Sequence, residues 1–144
     1  MKQLRYSIAS TPTALEEFDE VLRLVCATEA LDEQSYEIRL AVTEALATVV
    51  AHAYGGADSE PIDIAINKQS DHVTILITEH GHPIANDWVG TDVEPLLGEE
   101  PASALPDEGW GIYLMQTYMD HVDYEARENA NVWTLIKELP RRAH

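Results

Sequence analysis

The spacing of apolar residues changes in the first part of the chain, and this change predicts a strand followed by a helix. Residues 3–9 alternate polar and apolar side chains and therefore predict a half-buried strand. Apolar residues then recur at helical spacing, at Leu15, Phe18, Leu22 and Val25. Thr13, followed by Glu16 three residues later, has the spacing of a capping box. We therefore expect this amphipathic helix to begin at Thr13.

A second helix is expected from Asp32, a good capping residue, to about Tyr54, where the glycines at 55–56 would end it. Between Leu40 and Ala57 the only charged residue is Glu44, when histidine is counted as neutral. Such a segment predicts a helix that is buried on most of its sides.

A hairpin and a long irregular segment follow. Residues 61–68 and 72–79 are rich in isoleucine and valine at alternate positions, and a short polar link joins them. Residues 81–108 lose this pattern and contain mainly proline, glycine and acidic residues. A loop of this length in a small domain is usually functional or mobile.

The rest of the chain predicts a helix over 109–119 and two strands over 121–127 and 131–139. The element order is therefore β-α-α-β-β-loop-α-β-β. Because hairpins dominate, we expect an α+β fold, a two-layer sandwich. Its sheet would be mainly antiparallel or mixed, with helices on one face, in a single domain from 1 to 144.

The charge of the chain is strongly negative. Its 26 acidic residues against nine basic ones give a net charge of −17, and no Lys or Arg lies between Lys68 and Arg127. This surface repels phosphodiester backbones, so nucleic-acid binding is not expected. Two interpretations stay open: a solvated acidic face, or a surface that attracts a basic protein partner.

The apolar segments and the cysteine content of the sequence indicate the expected compartment and redox chemistry. It has no run of about 20 apolar residues and no apolar secretory signal at its start, so we expect a cytoplasmic protein that does not bind membranes. Cys26 is the only cysteine, which excludes an internal disulfide. Because its neighbours are apolar, we interpret it as a small buried hydrophobic residue.

Glu44 is the first candidate for chemistry, because a carboxylate in an apolar helix is costly to bury without a partner. The residues that share its helix face, Ala41, Thr48 and Ala51, are small and leave room for a ligand. The alternative is that Glu44 merely reaches the solvent edge of the helix.

Two glycine-containing segments are further candidates. Gly109 and Gly111 flank Trp110 between the acidic loop and a helix, where backbone N–H groups favour an anion such as phosphate. The second segment is Glu79-His80-Gly81-His82-Pro83 at a strand end, where a carboxylate and a glycine suit the edge of a flat ring. Ordinary turns are the alternative for both. Two loop histidines without a third ligand are weak support for a metal site.

Taken in order, these strings resemble one protein family. They are Glu44-Ala45 with His52-Ala53-Tyr54, the segment from Glu79 to Pro83, Gly109-Trp110-Gly111-Ile112-Tyr113-Leu114-Met115, and Asn131-Val132-Trp133-Thr134-Leu135. The chain resembles the anti-sigma-factor serine kinases of the GHKL (histidine-kinase-like) ATPase superfamily over essentially its whole length. The resemblance implies a Bergerat-type ATP-binding fold.

The resemblance also implies roles for individual residues. Glu44 would be the catalytic carboxylate, residues 85–108 would be the ATP lid, and Thr48 would hold Mg²⁺. The residues expected to contact ATP are Thr48, His52, Glu79, Gly81, Pro83, Gly109, Trp110, Gly111, Ile112, Leu114 and Thr134. Two of them depart from the family pattern, which has Asn at position 48 and Asp at position 79.

The function implied is an ATP-dependent serine/threonine protein kinase that phosphorylates a small anti-anti-sigma antagonist of the STAS type. Such a protein switches partners and sequesters a sigma factor or another regulator, and the family also implies a homodimer. The alternative is a regulatory binding module of the same fold that captures a protein with little or no nucleotide. A detached histidine kinase domain is disfavoured, because no segment remains for a phosphoacceptor hairpin.

Overall fold

The order of elements is β-α-α-β-β-α-β-β in a computed structural model that describes residues 2–53, 60–81 and 107–140. The elements are β1 Lys2–Ile8, α1 Pro12–Thr28, α2 Ser35–Thr48, β2 Ile62–Lys68, β3 His72–Glu79, α3 Asp107–Tyr118, β4 His121–Ala126 and β5 Asn131–Glu138. A π-helical turn, Val49–Ala53, continues α2. No helix in the described residues is both long and apolar enough to cross a membrane.

The strands form one five-stranded sheet in the order β1-β2-β3-β5-β4. Every neighbouring pair is antiparallel. The expected α+β fold is confirmed, and of the two sheet types left open by the sequence, the fully antiparallel one is observed.

One face of this sheet is buried, because alternate residues of each strand point to the same side. The buried positions are Ile62, Ile64 and Ile66 in β2, Val73, Ile75, Ile77 and Glu79 in β3, and Asn131, Trp133 and Leu135 in β5. The intervening residues of β3 and β5 are only partly buried. Two polar residues, Glu79 and Asn131, therefore belong to the face that otherwise forms the core.

The helices supply the second layer of that core. Four residues of α1 and six of α2 are buried: Phe18, Leu22, Val25, Cys26, Ile38, Ala41, Val42, Ala45, Leu46 and Thr48. Burial raises the pKa of the Cys26 thiol. This agrees with its interpretation as a small hydrophobic residue.

Ion pairs and hydrogen bonds join the helices to one another and to the sheet. The Arg39 guanidinium donates to both carboxylate oxygens of Asp19, at 3.0 and 2.7 Å, and so joins α2 to α1. Lys137 of β5 donates to Glu37 Oε2 of α2 at 3.0 Å and to the carbonyl oxygen of Tyr118, the last residue of α3, at 2.8 Å. One lysine therefore joins the sheet to both helices that carry candidate site residues.

The start of α1 differs from the expectation. Thr11, not Thr13, is the N-cap: its backbone is extended and its hydroxyl oxygen accepts from the Ala14 N–H at 3.2 Å. Pro12 is the reason, because its fixed φ suits the first helical position and its missing N–H is not needed there. The predicted cap was therefore two residues too late, and because Ala14 stands three residues after Thr11, the predicted capping box does not form.

The start of α2 also differs, because it begins at Ser35, and the expected cap, Asp32, lies in a preceding turn. Its α-helical part ends at Thr48 and the π-helical turn follows. The expected end at Tyr54 lies outside the described residues.

The end of α1 contains a strained residue. Ala30 has φ of 60°, the left-handed region that a residue with a Cβ occupies at a cost. The Leu31 N–H donates to the Cys26 carbonyl at 2.7 Å, so the segment closes as a Schellman motif. Leu31 is only 2% exposed and anchors this turn in the core.

We therefore predict that Ala30→Gly increases the free energy of unfolding by about 1 kcal/mol, because glycine adopts this conformation without a steric penalty. Urea unfolding measures the change. Ala27→Gly is the matched control, since Ala27 is exposed within α1 and the same change there should decrease stability by about 1 kcal/mol. Equal losses in both variants would contradict the strain at Ala30.

Candidate functional site

The first group of candidate residues lies where α3 crosses α2. A methyl group added to Gly111 would lie 3.0 Å from Thr48 Oγ1, 3.7 Å from Glu44 Oε2 and 3.8 Å from the Glu44 carbonyl oxygen. The first distance is tighter than most Cβ contacts in proteins, so the Thr48 side chain would have to shift by a few tenths of an ångström. Glycine at position 111 is thus what lets the two helices approach each other.

Thr48 is held firmly in this contact. It is 5% exposed, and its hydroxyl donates to the Glu44 carbonyl oxygen, one helical turn earlier, at 2.8 Å. The hydroxyl hydrogen is therefore used inside α2, and the oxygen lone pairs remain as acceptors. A hydroxyl in this state can act as a neutral oxygen ligand to a cation, but it cannot also donate to a phosphate.

Glu44 is half-buried, and its Oε2 faces the same glycine as the Thr48 hydroxyl. Within the described part of the chain, no hydrogen bond or ion pair to the Glu44 carboxylate is formed. The carboxylate therefore keeps its acceptor capacity, which is what a general base requires. α3 packs beside the Glu44 side chain, and the catalytic role of this carboxylate stays a prediction.

The two glycines of α3 have different positions in that helix. α3 begins at Asp107, two residues earlier than expected, so the N–H groups of its first three residues, 107–109, lack intrahelical acceptors. Gly109 lies among them, in place for an anion. Gly111 lies further along the helix, where it packs closely against α2.

The second group lies where β3 ends. Glu79 is fully buried, and its Oε1 accepts from the Gly81 N–H at 2.8 Å and from Asn131 Nδ2 at 2.9 Å. The indole N–H of Trp133 lies 3.4 Å from the other oxygen, Oε2. Three N–H donors thus surround the carboxylate, which satisfies the requirement for burying it in the core.

Sequence reasoning missed Asn131 and Trp133 as members of this group. Their signal was the alternation in β5, because Asn131, Trp133 and Leu135 share one face of the strand. A polar residue in that buried series needs a polar partner. Asn131 is paired with Glu79 in the β3–β5 register.

Thr134, expected to contact ATP, is not brought to this group. It pairs with Leu76 and is offset from Asn131 by three residues, so it lies on the other face of the sheet from Glu79. Ile112 is fully buried in the core, and Leu114 is partly buried.

The remaining predicted site residues lie partly or wholly outside the described structure. Pro83 and almost all of the expected lid, residues 85–108, are outside it. His52, Gly109 and Trp110 are described as helical backbone only. In the described ranges no group of three or more His, Cys, Asp or Glu could hold a metal ion, so Mg²⁺ binding at Thr48 stays a prediction.

Comparisons with known proteins show the family to which this chain is related. A model of the histidine kinase-like ATPase domain matches residues 8–137. The serine-protein kinase RsbW of Oceanobacillus iheyensis is 31% identical over 90 residues, which cover 62% of this chain and 57% of that protein. RsbW of Halalkalibacterium halodurans is 29% identical over 141 residues, covering 94% of this chain and 85% of the relative. The first two curated relatives are matched over 57% and 63% of their own length.

Two solved structures share the fold. The RsbU and RsbW domains of Rv1364c from Mycobacterium tuberculosis align with a TM-score of 0.68 and 16% identity, over 99% of this chain and 34% of that one. The SiaB–SiaC complex from Pseudomonas aeruginosa aligns with a TM-score of 0.61 and 14% identity, over 94% of this chain and 88% of that one. At such identities the likeness concerns the fold alone.

We predict that Gly111→Ala lowers the free energy of unfolding by up to about 2 kcal/mol, because the usual overpacking cost of about 1–3 kcal/mol is partly offset by the gain of about 1 kcal/mol when alanine replaces glycine within a helix. The Thr48 hydroxyl cannot move away easily, because its hydrogen bond to the Glu44 carbonyl holds it. Urea unfolding of Gly111→Ala, in the wild type and in a Thr48→Ala background, measures the effect. The cost should fall by at least half when Thr48 is truncated, and an equal cost in both backgrounds would exclude the contact as its cause.

Proposed function

The chain belongs to the histidine kinase-like ATPase domain family, and we propose that it is an ATP-dependent serine/threonine protein kinase of the anti-sigma-factor type. It would phosphorylate a serine on a small antagonist protein and sequester a second partner when that antagonist is absent or already phosphorylated. The family match confirms the resemblance drawn from the motifs, and the relatives named serine-protein kinase RsbW support the kinase assignment.

The observation that carries the proposal is the half-buried Glu44 carboxylate beside Gly111 and Thr48. In the transfer step the serine oxygen attacks the γ-phosphorus of ATP, the bond from that phosphorus to the β-phosphate oxygen breaks, and ADP leaves. The serine proton passes to Glu44, whose carboxylate has no competing donor in the described residues. A positioned base of this kind accelerates a reaction by about 10²–10⁴.

Oxygen ligands at the same contact suit Mg²⁺, which takes carboxylate, hydroxyl and phosphate oxygens. Thr48 would hold the ion through its lone pairs, because its hydrogen is already donated to Glu44. Bound Mg²⁺ supplies positive charge that neutralises the β- and γ-phosphates. The N–H groups at the start of α3, including that of Gly109, would favour the phosphates from the other side.

The group at the end of β3 would take the adenine edge. Glu79 is an acceptor in the core, and Gly81 leaves the following backbone without a side chain. Glu79 Oε2 accepts only the long 3.4 Å contact from Trp133, so it retains capacity for an exocyclic amine.

A second candidate function is supported by the same geometry: a binding module that holds its partner with little nucleotide. Thr48 is shorter than the Asn of the family pattern, and it packs against Gly111. Two of the three donors around Glu79 already occupy its Oε1. No Lys or Arg between residues 69 and 126 offsets the charge of ATP.

For the partner we propose a STAS-type anti-anti-sigma protein, with a sigma factor or another regulator as the alternate partner. The net charge of −17 and the exposed Asp123 and Glu125 of edge strand β4 favour a partner with a basic surface. The same charge disfavours nucleic acid. Homodimer formation is a further prediction that rests on the family alone.

We predict that ATP with Mg²⁺ raises the melting temperature of the protein, since a ligand at about 100 times its Kd stabilises by about 2.7 kcal/mol. Glu44→Gln should keep this shift and lower phosphate transfer to the antagonist by about a hundredfold or more. Thermal unfolding and a radiolabel transfer assay measure the two effects. Glu33→Gln, which neutralises an exposed carboxylate in the turn before α2, is the matched control.

The outcomes separate the two candidates. No stabilisation at millimolar ATP would favour the nucleotide-poor binding module. Stabilisation with unchanged transfer in Glu44→Gln would remove Glu44 from the catalytic role and leave the kinase assignment without its base.

Position 48 can be tested separately with Thr48→Val, which keeps the shape of threonine and removes the oxygen. If Thr48 holds Mg²⁺, the Mg²⁺-dependent part of the ATP affinity should fall about tenfold or more in this variant, as measured by calorimetry with and without EDTA. Thr48→Asn, which restores the family residue, should increase it. Equal Mg²⁺ dependence in all three proteins would show that another group binds the metal.

A further inference from the structure

Two lysines of the sheet hold the ends of two helices in the same way. Lys68 of β2 donates to the carbonyl oxygen of Glu29, directly after α1, at 2.6 Å, and Lys137 of β5 donates to the carbonyl oxygen of Tyr118, at the end of α3, at 2.8 Å. Neither helix has a basic residue in its own last turn. The last carbonyl groups of a helix lack intrahelical donors and carry partial negative charge. Each lysine therefore supplies a donor and a charge that the helix itself lacks.

The two lysines lie in one row of the sheet, because both pair with Val73 of the central strand β3. The helices that they hold carry different residues. α1 carries no candidate site residue, whereas α3 carries Gly111 and its contact with α2. Lys137 also donates to Glu37 Oε2, in the first turn of α2, at 3.0 Å. Its two bonds therefore join the end of α3 to the start of α2.

These bonds lie at one end of the contact between α2 and α3, and the candidate site lies toward the other end. Beside the Lys137 bonds, the rings of Tyr36 and Tyr118 meet edge to face, with their centroids 6.1 Å apart. Further along, Gly111 of α3 faces Glu44 of α2. About two helical turns, or about 10 Å, separate the two ends along each helix. Because helices are rigid elements, the way the far end of α3 is held affects its position at Gly111.

We propose that Lys137 is a positioning residue for the phosphate and metal part of the nucleotide site. By joining the end of α3 to the start of α2, it sets the spacing of the two helices at Gly111. That spacing fixes how far the oxygen atoms of Glu44 and Thr48 lie from the start of α3. The inference rests on the proposed function, because that function places the phosphates and the ion between these elements.

The partial burial of Lys137 makes this link more than a surface ion pair. Its side chain is 14% exposed, and its nitrogen bonds both a carboxylate and a backbone carbonyl. The pair of Arg23 with Glu20, by contrast, has side chains that are 48% and 59% exposed. Water and salt screen exposed pairs of that kind, so they contribute little. Removal of the lysine would take the donor away from two acceptors at a partly buried contact.

A double-mutant cycle measures the helix spacing without any nucleotide. Gly111→Ala adds a methyl group where α3 meets α2, and Lys137→Met keeps the unbranched stem but removes the donors at the far end. Changes at separated sites usually add. If Lys137 holds the helices close together, Gly111→Ala should raise the unfolding equilibrium constant by a factor that is about fivefold smaller in the Lys137→Met background than in the wild type. Urea unfolding measures both factors.

Lys68→Met is the matched control, because it removes the same kind of bond from the end of a helix without candidate site residues. In that background the effect of Gly111→Ala should stay within about twofold of its wild-type value. Glu37→Ala, which removes only the bond to α2, provides the test if Lys137→Met does not fold, and the effect of Gly111→Ala should again be smaller. Equal factors in the wild type and in the folded variants of the link would overturn the proposal.

Calorimetric titration with Mg-ATP tests the consequence for the site. We expect the affinity to fall about tenfold in Lys137→Met, to recover at least partly in Lys137→Arg, which keeps donors for both acceptors, and to stay within about twofold in Lys68→Met. Unchanged affinity in a folded Lys137→Met protein would overturn the proposal. Failure of the wild type to bind Mg-ATP would instead overturn the proposed function and with it the role of Lys137 in the nucleotide site, while the unfolding cycle would still show whether Lys137 sets the helix spacing.

Discussion

The burial of the Glu79 carboxylate is the constraint on which the rest of the site depends. A carboxylate in the core is tolerated only when donors surround it, so its surroundings cannot vary freely. The β3–β5 register supplies Asn131 and Trp133 from one strand, and the turn after β3 supplies the Gly81 N–H. The place where the chain leaves β3 is therefore held to β5 by polar contacts as well as by the sheet.

The contact between α2 and α3 depends on how closely the two helices approach each other, and not on hydrogen bonds between them. Glycine at 111 lets α3 approach α2 so closely that one added carbon would touch the Thr48 hydroxyl. The same approach brings the Glu44 carboxylate beside α3. The close packing of the two helices and the position of the Glu44 carboxylate therefore depend on the same contact at Gly111.

The fold was predictable because each element has a clear period and because hairpin links are short. The errors lie at element ends, where local chemistry competes. Because Pro12 occupies the first helical position, the cap of α1 is Thr11 and not Thr13. Because Asp32 lies in a turn, α2 begins at Ser35 and not directly after Asp32. Periodicity does not report these choices, since a shift of two or three residues leaves the apolar face unchanged.

Within the site, single residues were predictable when their type was unusual for their surroundings. Glu44 is a charge in an apolar helix, and Glu79 ends an apolar strand, so the sequence singled out both as candidates. Thr134 was assigned from its place in a motif, and the alternation of β5 puts it on the opposite face. Asn131 was missed because an asparagine near a turn is common, and only the register shows that it lies opposite a buried carboxylate.

The two groups of residues make different demands on a ligand. Near Glu44 and Thr48 the oxygen atoms need a cation or a proton, whereas the first N–H groups of α3 favour an anion. At Glu79 an acceptor in the core favours a neutral donor. A nucleotide carrying Mg²⁺ satisfies all three demands in one molecule, while a protein segment would have to supply them separately. Because no Lys or Arg lies between residues 69 and 126, this stretch of the chain offers the phosphates backbone dipoles but no basic side chain, and an accompanying cation would offset much of their charge.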